Sequence, residues 1–374
     1  MSSPRLLSDL ERLDWLRLSR SENVGPITFY RLIERFGSAK AALDAVPDLA
    51  RQGGRRGPIK LMGKEEALAE LQAHAKLGAR LIAWGEPDYP PRLAAIEDAP
   101  PLISVLGAAH LLRRPMVAVV GSRNASINGR RFAKRLGEGL AKGGLLVASG
   151  MARGIDGAAH EGALAHGTAA VLAGGVDHVY PPEHAELYAK IAAQGVVVGE
   201  SPPGTVPQAR HFPRRNRIIS GMALGVVIVE AAPRSGSLIT ARMAADQGRE
   251  VFAVPGFPDD PRAQGPNRLI RDGARLITSA EDVIEDLSDL LRRPLAERRE
   301  RPLEAPAPQI NDRDLVQARA EILVNLGSSP VLVDEIIRQC QLSPPVVATV
   351  LLELELAGRL ERHPGNRVAL LTPA

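Results

Sequence analysis

The densest group of chemistry-bearing side chains is Arg210-His211-Phe212-Pro213-Arg214-Arg215-Asn216-Arg217, four arginines in eight residues with no acid among them. Guanidiniums this close repel one another unless water or an anion lies between them. Each also presents a planar fork that matches two phosphate oxygens. Such a run on an ordinary surface is simply solvated. Here Phe212 and Pro213 interrupt it and the apolar Ile218 and Ile219 follow, so the segment is anchored to a core and points to anion binding. Phe212 can stack on a base or pack against the protein.

Other segments share this chemistry. Gly121-Ser122-Arg123 follows the apolar run Met116–Val120 and precedes a helical pattern with Gly129 in it. A glycine at a strand end permits a sharp turn, and the helix start beyond it offers free N–H groups and the positive end of the helix dipole. The spacing is not that of a dinucleotide fingerprint, and the lysine of a P-loop is missing. Ser149-Gly150-Met151-Ala152-Arg153-Gly154-Ile155-Asp156 brackets a second guanidinium between glycines. Asp156 and His160, four apart, can be read as a base or metal pair, but a capping carboxylate beside a histidine is the simpler reading. Gly174-Gly175-Val176-Asp177 allows close backbone approach to a ligand or to another loop. Arg234-Ser235-Gly236-Ser237 has the small hydroxyl residues of an anion nest. Gly265-Pro266-Asn267-Arg268 follows later.

The candidate phosphate and DNA contacts are therefore Gly121, Ser122, Arg123, Arg153, Arg214, Arg215, Asn216, Arg217, Ser235, Gly236 and Ser237. One nucleotide needs one or two such loops; a polymer backbone can occupy more. No nucleophile–base constellation is evident. Glu200 and Glu230, at two strand ends, are the carboxylates available for chemistry, and capping or arginine pairing suits both. No catalytic residue, metal or cofactor is assigned.

The elements that must position these loops are short apolar runs: Met116–Val120, Leu145–Ala148, Ala170–Ala173, Val196–Val198, Val226–Val229 and Val251–Val254. They lack clean alternation, as strands buried on both faces do, which implies crossover helices and a parallel sheet over residues 80–288. Ligands of such sheets bind at the carboxyl ends of the strands. Residues 1–79 read as a small helical domain. Asn23-Val24-Gly25-Pro26 there has the form of a helix-hairpin-helix turn, which can offer N–H groups to a phosphate, or of a plain helix–helix turn. Residues 289–311 are rich in proline and arginine and read as a linker. Residues 312–374 fit three helices and a hairpin, a winged helix-turn-helix. Its would-be recognition helix, Pro344 to Gly358, has no lysine, arginine, asparagine or glutamine but carries Glu353 and Glu355, which suits a protein contact better than a DNA groove. Only Arg359, Arg362, His363 and Arg367 give its wing positive charge.

Composition narrows the class. The chain has 374 residues, a formal net charge of +4 and 3% aromatic residues. So few rings argue against an aromatic-platform RNA binder. The single cysteine, Cys340, excludes an intrachain disulfide or a thiolate zinc cluster and reads as buried filler. The first thirty residues lack a signal-peptide pattern and no apolar run has membrane-spanning length, so a cytoplasmic protein is expected.

These loops, in this order, resemble the DNA-processing family DprA/Smf. The matching stretches are VAVVGSR (117–123), SGMARGIDGAAH (149–160), AVLAGGVDHVYP (170–181), FPRRNRIISG (212–221), VEAAPRSGSLITA (229–241), GREVFAVPG (248–256) and GPNRLIRDGA (265–274). The likeness spans the whole chain, with the specific motifs in its centre. It implies an extended Rossmann-like domain that binds single-stranded DNA, helps load the recombinase RecA in natural transformation and forms a homodimer, with neither catalysis nor a nucleotide cofactor. It places nucleic-acid contacts at Gly121, Ser122 and Arg123 and at Arg214–Arg217. Met151 stands where leucine is usual. Pro266 stands where the family often has serine, which removes an N–H donor from that loop. The rivals are a LOG-type phosphoribohydrolase, whose PGGxGTxxE is absent, and a non-catalytic scaffold.

Overall fold

The computed structural model describes residues 6–292, 312–363 and 365–371. The expected linker lies outside the described residues from residue 293 onward. The chain divides into two compact units, one built from residue 69 to the end of the central domain, the other from residues 7–68 together with the C-terminal segment. The N-terminal helices and the winged helix thus share a unit.

The second unit begins with α1 (Asp9–Arg20), α2 (Pro26–Phe36) and α3 (Ala39–Gln52); α4 (Lys64–Lys76) leads into the other unit. Local chemistry sets these ends. Ser8 and Glu11 form a reciprocal capping box at the start of α1. Pro26 opens α2, and Gly37, with φ of 75°, closes it in the left-handed conformation. Phe29, Leu16 and Leu32 fill the centre of this bundle.

The central unit contains β1 (Arg80–Ala83), α5 (Pro91–Ala94), β2 (Leu102–Gly107), β3 (Met116–Val120), α6 (Ile127–Lys142), β4 (Leu146–Ser149), α7 (Ile155–Ala163), β5 (Thr168–Leu172), α8 (Ala185–Gln194), β6 (Val196–Gly199), α9 (His211–Met222), β7 (Gly225–Ile228), α10 (Gly236–Asp246), β8 (Glu250–Ala253), α11 (Gln264–Arg271), β9 (Arg275–Leu276), α12 (Ala280–Asp286) and α13 (Ser288–Arg292). Its strands form one nine-stranded sheet in the order β1-β2-β6-β5-β4-β3-β7-β8-β9. From β6 to β9 every pairing is parallel; β2 joins β6, and β1 joins β2, antiparallel. The sheet is therefore mixed, a parallel Rossmann-like core with an antiparallel edge. All residues of β3, β4, β5, β6 and β7 are buried. Strand order reverses about β3, with β4 on one side and β7 on the other, which opens a crevice at their carboxyl ends.

The remaining elements are α14 (Asp312–Asn325), β10 (Val331–Leu332), α15 (Val333–Cys340), α16 (Pro344–Leu356), β11 (Leu360–His363) and β12 (Arg367–Leu370). The three strands make a small antiparallel sheet in the order β10-β12-β11. Val347, Val350, Leu351 and Leu354 of α16 form the core of this winged helix with Ile322 and Ile336. Cys340 is buried at its edge.

Candidate nucleic-acid interface

The crevice is built by backbone first. The Ser122 N–H donates to the Glu230 carbonyl at 2.6 Å, joining the loops after β3 and β7. The Ile155 N–H donates to the Ser122 carbonyl at 3.3 Å, joining the loops after β3 and β4. Gly154 makes that second contact possible: its φ is +77°, and a Cβ would collide with the Ser122 carbonyl oxygen. Glu230 holds the start of α6, where its carboxylate accepts the Ser126 hydroxyl at 2.5 Å and the Ser126 N–H at 2.9 Å. Its role is capping.

The arginine run folds as a helix start rather than a loop, because Pro213 lies in the first turn of α9, where the missing N–H has no helical partner to lose. Helical phase then sends neighbouring arginines in different directions. Arg214 is exposed, with no hydrogen bond or ion pair among the described residues. Arg215 is buried and donates to the carbonyls of Gly150 and Val171. A Cβ at Gly150 would sit 2.7 Å from its Nη1, so this glycine makes room for the guanidinium. Burial pushes Arg215 down to about 10, against the pull of nearby Asp156. Asn216 accepts from the Arg215 Nε at 3.2 Å. Arg217 is buried as well, donating to Glu200 at 2.5 Å and to the Asp98 carbonyl. Two of the four arginines in the run thus hold the protein together from inside, and Glu200 is the ionic partner of one.

What faces outward is a cationic and aromatic shelf. The exposed Arg123 guanidinium lies 5.0 Å from the Phe212 ring centre, and the Tyr180 ring lies 5.7 Å from Phe212. Tyr180 and Phe212 line a small pocket with Gly174, His178 and Pro207, so the loop after β5 joins the group. Arg153 is exposed and paired with Glu183. Ser235 caps α10, its hydroxyl 2.7 Å from that of Ser237, while Gly236 is open to solvent. Gly265 and Pro266 are buried, the Gly265 N–H donating to the Ala231 carbonyl at 2.9 Å. Asn267 clasps the Gly256 backbone through two hydrogen bonds, of 2.8 and 3.1 Å. That loop is a structural clasp, and Pro266 withdraws no exposed donor.

Asp156 and His160 are interior braces. Asp156 accepts the N–H groups of Gly150 and Ala152 at 3.1 and 3.3 Å, and burial raises its pKa. His160 bonds Thr168 Oγ1 at 2.8 Å, and burial pushes it down to about 3, which keeps it neutral. Among the described residues no cluster has metal-binding geometry. Charge that the motifs do not include lies on α6: Arg130, Arg131 and Arg135 are exposed on one helical face and have no ionic partner among the described residues. Arg131 and Arg135 are four apart, with Arg130 next to Arg131, and that spacing was the available signal.

Known proteins match this chain along its length. The description "DNA recombination-mediator protein A" matches residues 80–288. A DprA-like N-terminal HHH domain matches 9–73, and a DprA winged helix domain matches 304–366. Protein Smf of Escherichia coli is 44% identical over 285 residues, covering 75% of each chain. Protein Smf of Synechocystis is 31% identical over 96% of this chain and 99% of its own. The X-ray structure of DNA processing protein A from Streptococcus pneumoniae aligns with TM-score 0.61 at 36% identity, over 73% of this chain and 95% of that one. A solved structure of DNA processing protein A from Helicobacter pylori, described for its single-stranded DNA binding mode, aligns with TM-score 0.53 at 26% identity, over 58% of this chain and 98% of that one. The motifs, the three matched domains and the sheet that carries the loops together place this chain in the DprA/Smf family of DNA-processing proteins.

Proposed function

We propose that the protein binds single-stranded DNA across the carboxyl ends of β3, β4, β5 and β7, and that it passes this DNA to a RecA recombinase in natural transformation, acting as a cytoplasmic homodimer. The carrying observation is the shelf of Arg123 over Phe212, with Tyr180 beside it and Arg214 exposed on the same α9 turn. Guanidiniums take the phosphates, and rings stack on bases without regard to sequence. Gly121 and Ser122 bring backbone to the crevice, and Ser235, Gly236 and Ser237 add N–H and hydroxyl donors at the start of α10. Arg153 can exchange its exposed carboxylate partner for a phosphate, since a solvent-screened surface pair holds its members weakly. Arg215, Asn216 and Arg217 support the shelf from below. The arginines of α6 extend the track beyond Arg123.

The mechanism is positioning without bond chemistry. Glu200, Glu230, Asp156 and His160 are each committed to a structural partner, which withdraws these four from base chemistry in the crevice. Competition between a labelled oligonucleotide and unlabelled single strand or duplex tests the substrate. Single strand is expected to compete at far lower concentration; equal competition by duplex overturns the assignment. Turnover of nucleoside monophosphates that dies with Glu230→Gln would instead support the phosphoribohydrolase reading.

A further inference from the structure

The winged helix raises a separate question, because its fold is that of a DNA reader and its recognition helix is chemically unsuited to DNA. Alpha16 carries two buried stripes. Val347, Val350, Leu351 and Leu354 fill the module's own core. Thr349, Leu352, Glu353 and Leu356, spaced i, i+3, i+4, i+7, are also buried, though Leu352 and Leu356 take no part in that core. This second stripe is the face that would enter a major groove. Within the same compact unit it lies instead against α3 and α2.

The seam is specific. Gly53, at the end of α3, meets the Glu353 carbonyl so closely that a Cβ there would overlap it and would also stand 2.9 Å from the Ala357 Cβ. The Arg359 guanidinium donates to the Gly53 carbonyl at 3.2 Å. Asn23, from the turn between α1 and α2, donates through Nδ2 to the Leu356 carbonyl at 3.1 Å. That carbonyl is one of the last of α16, which the helix itself leaves unpaired. The Glu353 carboxylate, fully buried, accepts from the Arg319 Nε at 3.0 Å, and the charge of Arg35 on α2 acts on it as well. The wing is similarly committed: Arg359 serves the seam, and Arg362 bonds Glu355 at 2.8 Å.

We propose that the recognition face of this winged helix is an internal docking surface whose partner is the chain's own N-terminal helical domain, so that the module clamps that domain and reads no DNA. The hairpin turn and the recognition helix, each a DNA-binding device by type, are turned toward one another.

The test uses the full-length chain. Gly53→Leu forces the seam apart while respecting the backbone, since φ there is −69°. Gly57→Ala, where a side chain meets nothing within 4 Å, is the control. Amide hydrogen exchange over residues 349–356 should accelerate at least about tenfold in Gly53→Leu and stay unchanged in Gly57→Ala. Affinity for a short mixed-sequence duplex should not rise in either. Should Gly53→Leu fail to fold, Asn23→Ala removes one seam hydrogen bond and should speed exchange at residues 354–357 about fivefold. Unchanged exchange in Gly53→Leu, or in Asn23→Ala where that variant stands in for it, overturns the proposal. A tenfold gain in duplex affinity on opening the seam also overturns it, because the seam would then be masking a reader.

Discussion

Arg123 and Arg215 lie on opposite sides of the Phe212 question: both guanidiniums are near its ring, at 5.0 and 5.9 Å, yet one is exposed and the other buried. Their variants should therefore fail in different ways. Arg123→Ala should weaken single-strand binding about tenfold at low salt, as expected when one charge-assisted hydrogen bond is removed, with its melting temperature near that of wild type. Arg215→Ala leaves the Gly150 and Val171 carbonyls without their donor and removes the buried charge that acts on Asp156. It should cost about 3–5 kcal/mol of stability, read as a lower denaturation midpoint. Equal stability loss in the two would remove the distinction. The sequence made the run legible as a cluster, but not which members point inward. That depends on Pro213 falling in a first helical turn and on helical rotation, which turns adjacent arginines apart. Arg123 was legible because a short strand and a glycine leave it nowhere to go but outward.

At the scale of elements, the unbroken apolar runs located the parallel strands well, since only strands buried on both faces dispense with alternation. The antiparallel edge was not legible. Beta1 is four residues long, and nothing in it signals that it pairs with β2 rather than continuing a loop. The interior braces hold these elements together and have a pH signature. His160 links α7 to β5 through Thr168, whose hydroxyl donates to the Val147 carbonyl of β4 at 2.7 Å. Its folded pKa lies near 3, below the ordinary value of 6.5. Its neutral form thus supports the fold fully above pH 6.5, and that support fades as pH falls toward 3, where the unfolded chain takes up the proton first. Wild type should lose melting temperature more steeply than His160→Gln between pH 6.5 and 4; parallel curves would show that His160 titrates normally. The exposed face of α6 makes a different forecast. Replacing Arg130, Arg131 and Arg135 together by Ala should reduce single-strand affinity while leaving the melting temperature within a few degrees. Unchanged affinity would confine the DNA to the crevice.

At the scale of the molecule, the sequence separates a terminal helical domain, a central sheet and a winged helix, and the three family matches follow that order. The grouping of the first with the last was out of reach, because Arg35, Arg319 and Glu353 have no local pattern that links them. The role proposed for the whole chain also carries a mass: chromatography with light scattering should give twice 39.9 kDa, and a monomer at working concentration would contradict the homodimer. The most direct measurement of the central claim is the salt dependence of single-strand affinity for wild type and for Arg123→Ala/Arg214→Ala. With about four to six phosphates neutralised, the wild-type log–log slope should be roughly −3 to −4, and the double variant should be shallower by about 1.4, close to 0.7 for each phosphate no longer neutralised. A flat wild-type response, or a double variant with the wild-type slope, would contradict a DNA site built on these arginines.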